Sequence, residues 1–325
     1  MRTELGSRGL WLALGLAAAS VGCGGARSPA GAPTRSGPTD PTEEPARRPR
    51  EVPPDTVLRA AMPFIGVEVQ GGVQLEAREL VERLSDADAI CLGERHDNPH
   101  DHYAQLAVLD GLFTVARSTG RQLAVGFEMF GRPHQHVLSA WSNDEIDDEE
   151  LIERSEWHER WGYPFNLYRP LLERSRRGGA ELIALNAPRE LTRKIARGGL
   201  DGLSESERAR LPELDLDDAE HKEWFRGTMK HHPGHGDPDN LYAAQVTWDE
   251  TMAQAAASWL AVREPARQIV VIAGNGHCRS GAIPTRIARR GGARAIGVRA
   301  VIASREADPL PELAGFDYGV VLVTD

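Results

Sequence analysis

Four apolar runs of the chain each lead into a polar residue, and none alternates regularly between apolar and polar positions. Short unbroken runs of this kind are typical of strands buried on both faces of a parallel sheet. The runs cover residues 89–96, 123–128, 181–186 and 269–277. Because ligands bind outside the carboxyl ends of such strands, the pattern predicts a site along this edge.

Helical periodicity between these runs predicts an α/β fold, with a mostly parallel open sheet and helices on both faces. The helices are expected at 99–119, 133–141, 146–161, 167–177, 188–197, from 204, 220–229, 241–260 and 284–290. Apolar runs at 295–302 and 318–323 complete the sheet, and 65–69 indicates an edge strand or hairpin arm.

The first 22 residues have the pattern of an export signal. Arg2 and Arg8 supply positive charge, and the apolar stretch 10–19 is too short for a stable bilayer anchor. The signal ends at Ser20-Val21-Gly22-Cys23, which resembles a bacterial lipobox except that leucine is usual where Ser20 stands. We expect a signal peptide at 1–22 and lipidation of Cys23, with ordinary secretion as the alternative. Gly24, the residue after the cysteine, is not an inner-membrane retention signal. We therefore expect a lipid-anchored protein of the cell envelope, in the outer membrane and facing the periplasm.

Residues 23–54 are rich in Pro, Gly and Ser and predict a disordered tether, because such a segment buries too little apolar surface to fold. Residues 55–325 are then one large α/β domain. The net charge of −10 comes without a basic stripe and argues against nucleic-acid binding. If Cys23 is lipidated, Cys91 and Cys278 remain. We expect two buried free thiols, with a disulfide as the alternative if their strands are neighbours.

Two of the strand ends share the pattern Gly-x-x-His. Glycine permits a sharp turn, after which His96 and His277 can face back over the sheet edge. With Glu94 and Glu128, these histidines make a plausible ligand set for Zn²⁺ or Mn²⁺, or a catalytic set in which a histidine–carboxylate pair is the general base. Helix capping and buried hydrogen bonds are the structural alternatives for each residue.

Several motifs together resemble one family. They are Gly93-Glu94-Arg95-His96-Asp97-Asn98-Pro99, Gly126-Phe127-Glu128-Met129-Phe130, Trp157 with Trp161-Gly162, Leu185-Asn186-Ala187-Pro188-Arg189, the segment 244–253, and Ala273-Gly274-Asn275-Gly276-His277. In kind and order they are similar to the ChaN-type haem-binding uptake lipoproteins, part of the Tiki and erythromycin-esterase-like superfamily. The resemblance covers about residues 54–325.

The resemblance implies haem binding in iron uptake, with tyrosine ligation between paired subunits, and so leaves a homodimer open. Other branches of the superfamily hydrolyse peptides or esters, and Glu94, His96, Glu128 and His277 match their catalytic positions. No short motif marks a haem tyrosine here. The candidates are Tyr103, Tyr163, Tyr168 and Tyr242, of which Tyr163 lies in a turn and is expected to be the most exposed.

Further polar residues could contact a ligand. Asn186 and Arg189 suit a carboxylate or propionate, although Asn186 could instead cap the helix after Pro188. Asp249 is expected either to hold a site histidine or to form a surface ion pair. A loop with three histidines is a candidate metal or haem trap or merely exposed: His231, His232 and His235.

Three functions follow from these residues. The first is binding of haem or a divalent metal ion in uptake. The second is a metal-dependent hydrolase of peptide or ester bonds that uses the paired Gly-x-x-His and glutamate residues. Glu94 and His96 would activate water, a step that can also proceed without a metal, and Asn275 would polarise the substrate. The third is a non-catalytic binding domain whose polar site is a structural network.

Overall fold

A single eight-stranded sheet organises the structure, a computed structural model that describes residues 64–230, 236–262, 265–304 and 306–324. The strands are β1 (Phe64–Glu68), β2 (Val73–Leu75), β3 (Ala89–Glu94), β4 (Gln122–Gly131), β5 (Glu181–Asn186), β6 (Arg267–Gly274), β7 (Ala295–Ser304) and β8 (Tyr318–Thr324). The helices are α1 (Ala77–Ser85), α2 (Pro99–Thr119), α3 (Gln135–Ser142), α4 (Asp148–Arg154), α5 (Trp157–Arg160), α6 (Phe165–Arg177), α7 (Arg189–Gly198), α8 (Glu205–Arg208), α9 (Ala219–Met229), α10 (Pro238–Leu260), α11 (Asn275–Cys278), α12 (Ile283–Gly291) and α13 (Leu310–Leu313). Short 3₁₀ turns lie at Arg132–His134 and Leu200–Gly202.

The strand order is β2-β1-β8-β7-β3-β6-β4-β5. The last six strands in this order run parallel, whereas β1 pairs antiparallel with both β2 and β8. The prediction of a mostly parallel α/β sheet is confirmed. Strands β3, β6, β4 and β5 are consecutive neighbours, so their carboxyl ends form one continuous edge.

Helices cover both faces of the sheet, as the alternation of side chains along β3 shows. Ile90 and Leu92 belong to a buried cluster with Leu109 of α2, while the flanking positions Ala89 and Cys91 belong to a second cluster with residues of α10 and α12. Successive strand residues point to opposite faces, so β3 is enclosed from both sides. Apolar packing on both faces therefore stabilises the position of β3 in the sheet.

Local sequence sets the bounds of α2, which match the predicted helix. Asn98 accepts a hydrogen bond from the His100 amide at 2.9 Å, and Pro99 takes the first helical position. Gly120, with a φ of 70°, ends the helix in the left-handed region that glycine tolerates.

The predicted helix at 146–161 is wrong as one element. The structure has α4 and α5 instead, separated by Glu156 with a φ of 54°. A residue in the left-handed backbone conformation cannot continue a right-handed helix, and a glutamate side chain does not predict that conformation. The sequence pattern also missed α1 and the three-residue strand β2.

Cys91 and Cys278 form a disulfide, so the expectation of two free thiols is wrong. Cys91 lies in β3, and Cys278 follows the end of the adjacent strand β6. Their Cα atoms are 5.1 Å apart, within the range that a disulfide spans. The bond therefore ties β3 to the short helix α11.

Several predictions concern residues outside the described ranges. They are the signal peptide at 1–22, the tether at 23–54, the lipidation of Cys23, and the histidine loop of His231, His232 and His235. Among the residues that are described, no helix combines the length and the apolar character that crossing a membrane requires.

Candidate functional site

The edge formed by β3, β6 and β4 brings together four polar side chains. Glu94 is the last residue of β3, and His96 follows it by two positions. Glu128 lies in β4, where the register against β5 shifts between Phe127 and Gly131. Such an irregularity re-aims side chains at a strand end. His277 lies in α11, directly after β6.

Two glycines make room for this arrangement. A Cβ atom on Gly274 would lie 2.8 Å from Cε1 of His96, and one on Gly93 would lie 2.5 Å from Oδ1 of Asn275. Real Cβ atoms do not approach other atoms so closely, so larger residues would displace the imidazole and the amide. This close approach explains the glycine in both Gly-x-x-His motifs.

Glu94 and His96 form the first carboxylate–imidazole pair. His96 Nδ1 lies 2.9 Å from Glu94 Oε1. Glu94 also accepts hydrogen bonds from Tyr168 Oη at 2.7 Å and Gln105 Nε2 at 2.9 Å. Burial by itself raises the pKa of Glu94, but the nearby His102 and His96 and the hydrogen bonds outweigh it and lower that pKa. Burial opposes protonation of His96, yet Glu94 and Glu128 raise its pKa overall.

His277 belongs to a second pair and lies between two carboxylates. Its Nδ1 is 2.5 Å from Asp249 Oδ1, and its Nε2 is 3.3 Å from Glu128 Oε1. Burial lowers the pKa of His277, but the charges of Glu128 and Asp249 outweigh it and raise the pKa to about 10. Burial likewise raises the pKa of Glu128, whereas His277, His96 and the Gly274 amide lower it to about 2.

These shifts define what the pairs can do at neutral pH. His277 is an imidazolium with both ring nitrogens engaged, so it stabilises negative charge and is a poor base. His96 differs because only its Nδ1 is hydrogen-bonded among the described residues, and its ring packs against Trp161 and Tyr163 at centroid distances of 4.6 and 5.0 Å. Its Nε2 is the nitrogen left to meet a ligand.

All four side chains line one cavity of about 290 Å³. This volume lies near the lower end of the range for small-molecule sites, about 300–1,000 Å³. The walls add Trp161 and Trp248, which belong to the sequence motifs quoted above. They also add three groups that the sequence pattern did not single out: His158, Arg160 and Arg193. The cavity therefore has aromatic and cationic walls, and its floor is formed by the ionisable side chains of Glu94, His96, Glu128 and His277.

The other candidate residues occupy different places. Asn186, Arg189 and Asn275 line the cavity. Asn186 does not cap α7, because its Nδ2 donates to the Glu128 main-chain oxygen at 2.9 Å and its Oδ1 accepts from the Ala187 amide. It joins the ends of β4 and β5 instead.

The three remaining candidate residues have different environments. Both side-chain amide atoms of Asn275 are buried and make no hydrogen bond in the described part of the chain. Asp249 lies behind His277, which matches its expected role of holding a site histidine rather than forming a surface ion pair. Tyr163 packs on His96 from outside the cavity lining.

The predicted Zn²⁺ or Mn²⁺ ligand set is not arranged as a metal site. Within the described ranges, no three His, Cys, Asp or Glu side chains are grouped to hold an ion. The physical reason is that the Nδ1 of His96 faces Glu94 and the Nε2 of His277 faces Glu128. In each pair the carboxylate oxygen and the imidazole nitrogen contact each other.

Sequence reasoning missed which residues support Glu94, and it considered Tyr168 only as a candidate haem ligand. His102 Nδ1 lies 3.4 Å from Glu94 Oε2, and Gln105 and Tyr168 donate to the same carboxylate. His102 and Gln105 are three apart on α2 and face the sheet, so helical spacing could have paired them. The role of Tyr168 depends on how α6 packs, which the sequence does not reveal.

Comparisons with known proteins agree with this architecture. The family described as "Haem-binding uptake, Tiki superfamily, ChaN" matches residues 80–287. A solved structure described as cofacial haem binding to ChaN of Campylobacter jejuni has a TM-score of 0.61 at 18% identity, covering 79% of this chain and 96% of that one. At this identity the likeness shows the fold alone.

One further match has a lower structural similarity, and another covers a shorter segment. An erythromycin esterase mutant in its open conformation has a TM-score of 0.41 at 14% identity, covering 80% of this chain and 83% of that one. "Protein RETICULATA-RELATED 5, chloroplastic" of Arabidopsis thaliana is 31% identical over 137 residues, 41% of this chain. The match spans only 18% of that plant protein's length. Because the family match at 80–287 covers more than half of the chain, the protein belongs to the ChaN family of the Tiki superfamily.

Proposed function

We propose that this protein binds haem in the cavity at the strand ends, as a lipoprotein anchored through Cys23 in the outer membrane and facing the periplasm. Its role would be in haem or iron uptake. The observation that carries the proposal is the position of His96, whose Nε2 is not hydrogen-bonded to any described residue and whose ring packs against both Trp161 and Tyr163 at the cavity. Family membership supports the same ligand.

The residues fit a haem iron at one point in particular. Haem iron accepts histidine or tyrosine ligands. The Nδ1 of His96 is held by Glu94, an arrangement that fixes the ring and increases the basicity of the opposite nitrogen. Tyr163 is the alternative, but burial and the charges of Asp97, Glu128 and Glu94 raise its pKa to about 12, which favours the protonated phenol. His96 is therefore our preferred ligand, and the bound iron would supply an electrophilic centre there.

The cavity encloses only part of such a ligand, because a porphyrin exceeds its volume of about 290 Å³. The remaining surface of the macrocycle would lie at the open mouth. A second copy of the chain could cover it, and we therefore include a homodimer in the proposal. The Campylobacter jejuni protein is described as binding haem cofacially, which is consistent with that arrangement.

Titration of the purified protein with haemin, followed by absorption in the Soret region, tests the proposal. We expect a saturable Soret shift that His96→Ala abolishes and Tyr163→Phe retains. His100→Ala is the matched control, since His100 is exposed at the start of α2 and does not line the cavity. The reverse result would assign the iron to Tyr163, and an unchanged haemin spectrum would overturn haem binding.

A second function, hydrolysis without a resident metal, is favoured by Asn275. Its unpartnered amide lies at the cavity floor near both histidine–carboxylate pairs and could polarise a carbonyl group. Protonated His277 would stabilise the developing oxyanion. The base would be His96 with Glu94, and since the pKa of His96 is raised, the rate should increase with pH.

Assays on aryl esters and peptides distinguish hydrolysis from binding alone. Turnover that survives both His96→Ala and Glu128→Ala would exclude this mechanism. In a purely non-catalytic domain, the same substitutions would lower the melting temperature and leave ligand behaviour unchanged.

A further inference from the structure

A row of buried charged and polar side chains lies behind the cavity floor and ends at His277. It begins at Glu250 of α10, which pairs with Arg286 of α12. Arg286 Nη2 lies 3.5 Å from Nδ1 of His221, a residue of α9. His221 Nε2 lies 3.7 Å from Asp249 Oδ2, and Asp249 Oδ1 contacts His277. The row therefore connects three helices to a ring of the cavity floor.

Solvent is excluded from this row, so water does not screen its contacts. The side chains of His221, Asp249 and Glu250 are 0% exposed, and that of Arg286 is 2% exposed. Buried charges cost free energy unless partners hold them. Glu250 has such partners in three arginines of α12: Arg286, Arg289 and Arg290. Asp249 likewise needs a partner for each of its two oxygens.

The surroundings of His221 determine which ring nitrogen carries the proton. An arginine side chain has only donors, so Nδ1, which faces Arg286, must accept. The Tyr242 hydroxyl also lies 3.3 Å from this nitrogen. Burial, supported by the charge of Arg286, lowers the pKa of His221 and outweighs the opposing charge of Asp249. His221 is therefore a neutral imidazole whose Nε2–H faces Asp249 Oδ2.

Two buried polar atoms near Asp249 have no hydrogen-bond partner among the described residues, and they are His221 Nε2 and Gln245 Oε1. Gln245 Nε2 lies 3.5 Å from Asp249 Oδ2 and 3.1 Å from His277 Nδ1. The 3.7 Å between His221 Nε2 and Asp249 Oδ2 is longer than a hydrogen bond, so their attraction is electrostatic. Without solvent this attraction is weakly screened, and it leaves Oδ1 of the carboxylate for His277.

We propose that His221 is a positioning residue of the cavity, which holds Oδ2 of Asp249 so that Oδ1 keeps His277 in place. His221 does not line the cavity, so it acts through Asp249. Its own position is fixed by Trp224, which stacks on the ring at a centroid distance of 5.4 Å. Gly281 leaves room for it, because a Cβ atom there would lie 2.8 Å from the His221 Cβ.

The experiment measures the pKa of the His277 ring by NMR in the ligand-free protein, so it rests on neither proposed function. His221→Leu removes both ring nitrogens. Only Gln245 then remains near Oδ2, so the carboxylate can turn away from His277. We expect the pKa of His277 to fall from about 10 by about one pH unit or more. His136→Leu is the control, because His136 is exposed and the pKa of His277 should stay unchanged.

Two conservative variants separate positioning from a general loss of structure. The side-chain nitrogen of glutamine reaches the place of the histidine Nε2, whereas that of asparagine reaches only the place of Nδ1. His221→Gln should therefore keep the pKa of His277 near 10, and His221→Asn should lower it as His221→Leu does. Melting temperatures establish that each variant is folded. If His221→Leu does not fold, this pair of variants decides the question, and equal pKa values in the two would overturn the proposal.

Combination with Asp249→Asn tests the route of the effect. Because His221 acts through the Asp249 carboxylate, His221→Leu should cause no additional fall in the pKa of His277 once that carboxylate is absent. An additional fall in the Asp249→Asn protein would show that His221 reaches His277 by another route and would overturn the proposal. An unchanged or higher pKa of His277 in the single variant His221→Leu would overturn it as well.

Discussion

Asp249 Oδ1 lies 2.5 Å from His277 Nδ1, and neither side chain is exposed by more than 7%. The contact joins α10 to the helix that follows β6, and Glu128 of β4 approaches the other ring nitrogen. The protonated His277 ring therefore forms ion pairs with carboxylates of α10 and β4, and these pairs link the two elements. It also fixes the ring that forms one side of the cavity floor.

Asp249→Asn should lower the pKa of His277 from about 10 and destabilise the protein. Asparagine keeps the shape of the side chain but removes the charge, so only Glu128 continues to favour the imidazolium. Truncation to alanine should destabilise the protein more, lowering its unfolding free energy by about 3–5 kcal/mol in total, because it leaves a buried charge without one partner. NMR titration of the His277 ring and urea unfolding measure the two effects.

Asp239→Asn is the control for this substitution. Asp239 lies on the same helix and pairs with Lys222 and Arg226, but its side chain is 65% exposed. Solvent weakens such pairs, so we expect a much smaller change in the unfolding free energy. Equal destabilisation by the two substitutions would contradict the importance assigned to the buried pair.

The ion pair of Glu128 and His277 should also make stability depend on pH in a defined direction. His277 has a folded pKa of about 10, above the usual 6.5, so its contribution is complete below pH 6.5 and is lost as the pH rises through 10. Glu128 has a folded pKa of about 2, below the usual 4.5. Its contribution is present above pH 4.5 and is lost as the pH falls through 2.

Unfolding free energies at pH 3, 5.5 and 9, compared between wild type and Glu128→Gln, test this dependence. The difference between the two proteins should be largest at pH 5.5 and smaller at both extremes. A difference that grew from pH 5.5 to pH 9 would contradict the assigned protonation of His277.

The sequence was sufficient for seven of the eight strands described and for the residues at the site edge, because both depend on local patterns. Unbroken apolar runs located the strands, and Glu94 and Glu128 are placed by the strands that contain them. The break at Glu156 was missed because no feature of its local sequence predicts the left-handed conformation that it adopts. Tyr168 was named only as a candidate haem tyrosine, and its contact with Glu94 was missed, as was Arg160, because both residues reach the site from helices whose position no local pattern specifies.

The disulfide gives a third prediction. It lies one residue from His277 and is buried on both sides, with Cys91 and Cys278 at 2% and 0% exposure. Replacing both cysteines by alanine should lower the unfolding free energy by about 2–4 kcal/mol, since the bond closes a long loop. Urea unfolding with and without reductant measures it. Reductant should destabilise the wild type and have no effect on the double variant. An equal effect on the wild type and the double variant would show that reductant does not act through this disulfide.

Gly274→Ala should displace His96 and weaken ligand binding. The new Cβ atom would lie 2.8 Å from His96 Cε1 and 3.1 Å from its Nε2, so the ring must move away from the cavity floor. We expect at least a tenfold loss of haemin affinity. Gly198→Ala is the control, because nothing lies within 4 Å of its added Cβ and alanine favours the helix by about 0.5–1 kcal/mol. Unaltered haemin binding by Gly274→Ala would show that the position of His96 is unimportant.

Tyr168→Phe should weaken the support of the Glu94–His96 pair. The hydroxyl donates to Glu94 Oε1 at 2.7 Å, and Tyr168 is fully buried, so its removal leaves a buried carboxylate with one donor fewer. A hydrogen bond to a charged group contributes about 1.5–3 kcal/mol, and we expect a loss of that order in the unfolding free energy. The pKa of Glu94 should rise, since the Tyr168 hydrogen bond helps to lower it.

Tyr103→Phe provides the comparison, because Tyr103 is only partly buried and its hydroxyl makes no hydrogen bond to the described residues. Its effect on stability should stay within about 0.5 kcal/mol. Denaturant unfolding of both variants, with an infrared titration of the Glu94 carboxylate, separates the outcomes. A Tyr168→Phe protein as stable as Tyr103→Phe, with an unshifted Glu94, would mean that His96 and Gln105 alone suffice to hold the carboxylate in its charged form.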